Sequence, residues 1–150
     1  MNVFSRALAA LTLLAGSALA GALPITARGG MVEAVPPGAS VSAAYLTLVN
    51  SSNKAVKLLG GSSPLARRVT PMITTRGGNA TENATGGVVE MRAATLEVPA
   101  RGTLVLSATG DHLMLEGLTR TPKVGETVAL TLRFSTGEPL TVALPVERLP

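Results

Sequence analysis

VSAAYLTLVN, the stretch Val41–Asn50, decides the fold class. In an extended chain, successive side chains point to opposite faces. Leu46 and Leu48 therefore fall on one face of this stretch, while Tyr45 and Thr47 fall on the other. One apolar face and one mixed face are typical of a strand in an antiparallel sheet that covers a core on one side. This stretch is the clearest predicted β-strand of the chain.

The same short extended pattern recurs along the chain, and it is separated by Gly, Pro, Asn and Ser turns. We expect further strands around Ile25 and over residues 31–35, 54–59, 66–74, 88–92, 95–98, 104–106, 111–116, 128–134 and 140–146. Many short strands at regular spacing, without capped helical periodicity, indicate an all-β sandwich or barrel.

Turn residues suggest how some of these strands are joined. The Asn and Ser residues of 50–53 predict a hairpin between 41–50 and 54–59, and residues 135–138 predict a second one between the last two strands. Pro71 has no backbone N–H to donate, so its strand is expected at a sheet edge or a bulge. The Gly-bounded polar segment 76–87 is predicted to be a mobile loop.

The first 20 residues have the composition of a secretory signal peptide. Arg6 precedes the apolar run 7–15, and residues 18–20 (ALA) fit a small-x-small cleavage site. A membrane anchor is the alternative, but the apolar run is shorter than the roughly 20 residues that cross a bilayer. We expect a signal peptide at 1–20, a single domain at 21–150 with no membrane span, and a periplasmic or secreted product.

Composition disfavours several classes of function. The chain has no Cys, which leaves no disulfide, thiolate site or lipid-modified Cys. The net charge of +4 comes from scattered basic residues, and a single Tyr and two Phe provide no platform for stacking bases, so nucleic-acid binding is not expected. A single His, with no Cys and no Ser in a nucleophile elbow, argues against an enzyme.

The segment 111–116 (DHLMLE) contains the only His of the chain beside a Met. As a strand it directs Leu113 and Leu115 toward the core, and His112 and Met114 side by side onto the other face. A thioether with an imidazole selects Cu(I) over hard cations. The alternative is that both are ordinary surface or core residues.

Several segments together carry a family resemblance: 35–39 (VPPGA), 43–48 (AAYLTL), 87–92 (GVVEMR), 96–100 (LEVPA) and 112–118 (HLMLEGL). In this order they resemble the periplasmic copper chaperones of the PCu(A)C type, the DUF461 family, over about residues 25–146. The resemblance implies a cupredoxin-like Greek-key β-sandwich or barrel.

The resemblance also implies a ligand set. The copper signature of the family is a His, a later Met and a closing His-x-Met, and Met91, His112 and Met114 are the counterparts of its last three ligands. The first His is absent. Alignment from Arg68 places Met72 there, so either Met72 substitutes as a thioether or the site has three protein ligands.

Two further residues, Glu116 and Met31, are not part of this ligand set. Glu116 shares a strand face with His112 and would be a partner that orients its ring, although a plain solvent-facing charge is the alternative. Met31 is assigned to the core.

The function implied by the resemblance is to bind Cu(I), with Ag(I) as a possible surrogate, and to pass it to a copper acceptor protein such as the copper centre of a respiratory cytochrome oxidase. We expect a monomer. The alternative is a degenerate family member that binds no metal and acts as an exported interaction or structural module.

Overall fold

The computed structural model describes residues 23–76 and 89–150, and all regular secondary structure in these ranges is β. The strands are β1 Ile25–Glu33, β2 Val41–Asn50, β3 Val56–Ser63, β4 Ala66–Arg76, β5 Val89–Ala93, β6 Leu96–Val98, β7 Thr103–Val105, β8 His112–Leu118, β9 Thr127–Phe134 and β10 Leu140–Glu147. Within this part of the chain, no helix of the length and apolarity needed to span a bilayer occurs. The predicted signal peptide and nearly all of the predicted loop 76–87 lie outside the described residues.

The all-β prediction is confirmed, and the sheet closes on itself. Along the sheet the order is β5-β4-β8-β2-β1-β10-β9-β3-β6, and an additional pairing between β3 and β4 closes seven of these strands into a barrel. The strands β5, β6 and β7 attach to β4, β3 and β2. The run β5-β4-β8-β2-β1 positions the candidate site.

Alternation along the strands fills the interior. On β8, Leu113 and Leu115 have no exposed surface, and on β2 the residues Leu46 and Leu48 are 3% and 0% exposed. Full burial of such a side chain contributes about 1.5–3 kcal/mol to stability. Because the apolar alternate positions point inward, the intervening residues of β8 and β2 point to the outer face of the barrel.

Of the two predicted hairpins, one is confirmed and one is wrong. The strands β9 and β10 pair antiparallel from Leu132↔Leu140 onward. The strand β2 pairs with β1, β8 and β7 but not with β3, because the chain crosses the barrel after Asn50. Asn50 is 1% exposed, and its amide donates to the carbonyls of Lys54 and Val98 at 2.8 and 3.2 Å. These hydrogen bonds stabilise the connection from β2 across the barrel to β3, where the sequence predicts a hairpin turn.

The sequence predicts that Pro71 lies in an edge strand or at a bulge. The edge-strand alternative is wrong. The strand β4 pairs with β8 on one side, and on the other side with β3 and then β5. Pro71 lies where the partner changes, between the pairs Val69↔Gly61 and Met72↔Ala93. Its carbonyl accepts a hydrogen bond from the Ala94 N–H at 3.1 Å on that side. The nitrogen of Pro71, which has no N–H, thus faces the point where the partner of β4 changes from β3 to β5. No backbone hydrogen bond between strands is lost there.

The strand β1 joins two segments that the sequence predicts as separate strands, one around Ile25 and one over residues 31–35. Its register against β2 shifts between Arg28 and Met31, at a bulge formed by Gly29 and Gly30 with φ of 59° and 110°. A Cβ on Gly30 would lie 2.5 Å from the Tyr45 carbonyl oxygen. The bulge therefore depends on a residue without a side chain.

Candidate metal centre

The pair His112 and Met72 forms the centre of the candidate site. The two residues are direct register partners on β8 and β4, so their side chains lie on the same face of the sheet. Side chains at directly opposite positions have Cβ atoms about 4.5–5.5 Å apart. Both residues are 8% exposed although they lie on the outer face.

Met114 lies two residues beyond His112 on β8 and so on the same face. Its register partners are Thr70 on β4 and Ala43 on β2, both with short side chains. Met114 is half-buried.

Met91 approaches from the next strand. It is the register partner of Thr74 on β4, whereas Met72 is paired with Ala93, so Met91 and Met72 are diagonal neighbours. Diagonal positions are about 7–8 Å apart, within reach of long side chains. Met91 is 53% exposed. The structure therefore brings Met72, Met91, His112 and Met114 to one face of three adjacent strands.

The ring of His112 is oriented by contacts that the sequence does not predict. Its Nδ1 lies 3.0 Å from the carbonyl oxygen of Gly110. Because a carbonyl only accepts, this contact assigns the ring proton to Nδ1 and leaves the Nε2 lone pair free. The ring of Tyr45, the neighbour on β2, meets the imidazole edge-on, with centroids 6.4 Å apart and planes at 68°.

Tyr45 is itself fixed by a hydrogen bond. Its hydroxyl donates to the Glu33 carboxylate on β1. Burial raises the pKa of Tyr45 well above its usual range, and the hydrogen bond and negative charge of Glu33 act in the same direction. Tyr45 thus remains a neutral phenol and does not supply a phenolate ligand.

The two carboxylates near His112 have other partners. Asp111 Oδ1 accepts a hydrogen bond from the Thr74 N–H at 3.0 Å. Glu116 forms an ion pair with Arg68 at 3.2 Å, and the side chains are 31% and 72% exposed. An ion pair this open to solvent contributes little to stability. The hydrogen-bond partner of the imidazole is the Gly110 carbonyl, and the role of Glu116 as a ring-orienting residue remains a prediction.

The site therefore offers neutral, soft donors. Among residues 23–76 and 89–150, no three His, Cys, Asp or Glu side chains converge where they could hold a metal ion. The uncharged donors gathered on this face are three thioethers and one imidazole. This set suits a monovalent, polarizable ion.

The assignment of Met31 to the core is wrong. It is half-buried on β1 and is the register partner of Tyr45, so it lies on the same outer face as His112. Tyr45 and its strand separate Met31 from His112. Two interstrand spacings place the Met31 backbone about 10 Å from that of His112.

Comparison with known proteins identifies the family. The family model described as "Putative lipoprotein LpqE-like" matches residues 25–146. The chain belongs to the LpqE-like family. This confirms the resemblance to PCu(A)C-type domains, and the lipoprotein description of the family indicates an exported protein.

A curated relative from Leifsonia xyli subsp. xyli (strain CTCB07), "Putative lipoprotein Lxx21020", is 30% identical over 112 residues. The match covers 73% of this LpqE-like chain and 63% of the relative, so the chain spans less than two thirds of that protein.

Solved structures share the fold. The Cu(I) form of DR1885 from Deinococcus radiodurans is 44% identical, with a TM-score of 0.65, over 90% of this chain and 86% of that one. The copper-bound PCuAC domain from PmoF2 is 23% identical, with a TM-score of 0.65, over 84% and 94% of the two chains. At that lower identity, the likeness to PmoF2 shows the fold alone.

Proposed function

We propose that this LpqE-like protein is a periplasmic copper chaperone that holds one Cu(I) ion with Met72, Met91, His112 and Met114. The observation that carries the proposal is that one His and three Met, distant in sequence, share one face of three adjacent strands. Three thioethers and one imidazole suit Cu(I), whereas this donor set offers Mg²⁺ no oxygen ligand and Zn²⁺ only one suitable ligand, the imidazole. The likeness to DR1885, solved as its Cu(I) form at 44% identity, supports this metal.

The position of Met72 supports four ligands over three. A Met directly opposite His112 has the reach to share an ion with it. The absence of the first His of the family is the main argument for a degenerate member without metal. A thioether at this position weakens that argument, because it supplies the donor that the missing imidazole would have provided.

The graded exposure of the donors supports a role in delivery. Met72 and His112 are 8% exposed, whereas Met91 is 53% exposed and lies on β5, whose described pairing is with β4 alone. An incoming ligand of an acceptor protein would therefore displace Met91 first, while His112 and Met72 still hold the ion. The acceptor is a copper-binding protein with soft ligands, such as a respiratory oxidase copper centre.

Titration with Cu(I) against a competing chelator tests the proposal. We expect one ion per chain, silver competing with it, and no competition from excess Zn²⁺. His112→Asn should weaken Cu(I) binding at least about tenfold, equivalent to about 1.4 kcal/mol. Failure of the wild-type protein to take Cu(I) from the chelator would favour the alternative, an exported module that binds no metal.

A further inference from the structure

We propose that Thr74 and Asp111 are positioning residues that fix the orientation and tautomer of His112 through the Gly110 carbonyl, and thereby set the affinity for Cu(I). The expected effect on Cu(I) affinity rests on the proposed function. Its structural part concerns the metal-free protein and can be tested there.

The β4–β8 ladder ends at the candidate site. The last register pair is Met72↔His112, and beyond it β8 gives way to the turn before His112. The backbone N–H of Thr74 is bound by the Asp111 carboxylate at 3.0 Å, and the Thr74 hydroxyl donates to the Gly110 carbonyl at 2.9 Å. Two side chains thus continue the connection between the strands after backbone pairing has stopped.

The Gly110 carbonyl oxygen receives two hydrogen bonds. One comes from Thr74 Oγ1 at 2.9 Å and the other is the contact with His112 Nδ1 at 3.0 Å. A carbonyl oxygen has two lone pairs, so these contacts use its capacity. Fixing this oxygen fixes the acceptor for the imidazole, and the ring proton is held on Nδ1.

The turn is also closed at its base. The Ser107 N–H donates to the Asp111 carbonyl at 2.9 Å, and the Gly110 N–H donates to the Ser107 carbonyl at 3.2 Å. These bonds define the shape of the turn, while the bonds to Thr74 anchor it to β4. The chain of contacts therefore runs from β4 through the turn to the ring of His112.

Thr74 is also a neighbour of a second residue of the candidate site. It is the register partner of Met91, so the residue that anchors the His112 turn also faces the strand carrying the exposed thioether. Partners that orient a metal-binding His commonly change affinity by about 10- to 100-fold when removed. Loss of the Thr74 hydroxyl should free the ring to adopt the other tautomer, with the proton on the nitrogen that would bind the ion.

The test compares Thr74→Val, which removes the hydroxyl at nearly constant shape, with Thr74→Ser, which keeps it. Thr75→Val is the matched control, because Thr75 is exposed and points to the opposite face of the same strand. The tautomer of His112 is read by ¹⁵N NMR of the metal-free protein at a pH where the ring is neutral. Cu(I) affinity is read by chelator competition, and far-UV circular dichroism checks that each variant is folded.

We expect Nδ1–H in the wild type, Thr74→Ser and Thr75→Val. Thr74→Val should give mixed tautomers and Cu(I) binding weakened about 10- to 100-fold. An unchanged tautomer and affinity in folded Thr74→Val would overturn the inference. A tautomer shift in a protein that binds no Cu(I) even as wild type would refute the proposed function while supporting the hydrogen-bond chain.

A second pair of variants keeps the test decisive if Thr74→Val does not fold. Asp111→Asn retains an oxygen that can accept from the Thr74 N–H, whereas Asp111→Ala does not. We expect Asp111→Asn to resemble the wild type, and Asp111→Ala to resemble the result expected for Thr74→Val. Equal behaviour of the two variants in tautomer and affinity would contradict the role of Asp111.

Discussion

At the scale of single residues, the proposed metal donors differ from the side chains that only lie near them. The sequence supplies the donor types, because a lone His and a few Met are easily identified. Their surroundings are different: Tyr45, Thr74 and Gly110 are common residue types that become relevant only through contacts across strands. The Val41–Asn50 alternation places Tyr45 on the outer face, but nothing in the sequence pairs it with His112.

Met91 and Met31 provide a matched comparison at this scale. Met91 lies on β5, next to β4, and is a diagonal neighbour of Met72, whereas Met31 lies on β1 and is separated from β8 by β2 and Tyr45. We predict that Met91→Leu weakens Cu(I) binding at least about tenfold, since a thioether ligand is lost. Met31→Leu should leave the affinity within about twofold. Chelator competition measures both, and an equal loss in the two variants would show that the ion is not held where we place it.

At the scale of strands, what the sequence predicts depends on the range of the interaction. Alternation within β2 and β8 is local, and it predicts both strands and their buried faces. Pairing is not local: residues 50–53 resemble a hairpin turn, yet Asn50 is bound to the carbonyl of Val98, 48 residues away. The same reason explains Pro71: the sequence of β4 predicts an edge or a bulge, because it contains no signal that the pairing partner of β4 changes from β3 to β5 there.

The bulge in β1 permits a prediction about stability. Gly29→Ala meets no atom within 4 Å and should cost only the left-handed backbone penalty of about 1–2 kcal/mol. Gly30→Ala would also place a Cβ 2.5 Å from the Tyr45 carbonyl oxygen and 2.7 Å from Leu46 Cβ. We therefore expect it to lower the free energy of unfolding by about 3 kcal/mol or more.

Urea unfolding of the two variants measures this difference. Because β1 carries Glu33, which binds the Tyr45 hydroxyl, Gly30→Ala should also disturb the contact between Tyr45 and His112. Equal stability losses in the two variants would mean that β1 can move away from β2 without cost, and that the bulge is not packed as described.

At the scale of the whole molecule, the interior of the barrel stabilises the fold, and one part of its outer face forms the candidate metal site. Its interior is mostly apolar, and residues such as Leu113, Leu115, Leu130 and Leu132 have no exposed surface. Its outer face over β5, β4 and β8 carries the proposed metal donors, on strands that are held in place by packing around that core. A rigid support with one exposed thioether is suited to holding an ion and releasing it to another protein.

The most direct test of this account is X-ray absorption spectroscopy at the copper edge on the protein loaded with one equivalent of Cu(I). We predict a cuprous ion surrounded by three thioether sulphurs and one imidazole nitrogen, with one sulphur lost in Met72→Leu. A spectrum dominated by oxygen and nitrogen neighbours, or one unchanged by both Met72→Leu and Met91→Leu, would contradict the claim that these side chains gather around a single ion.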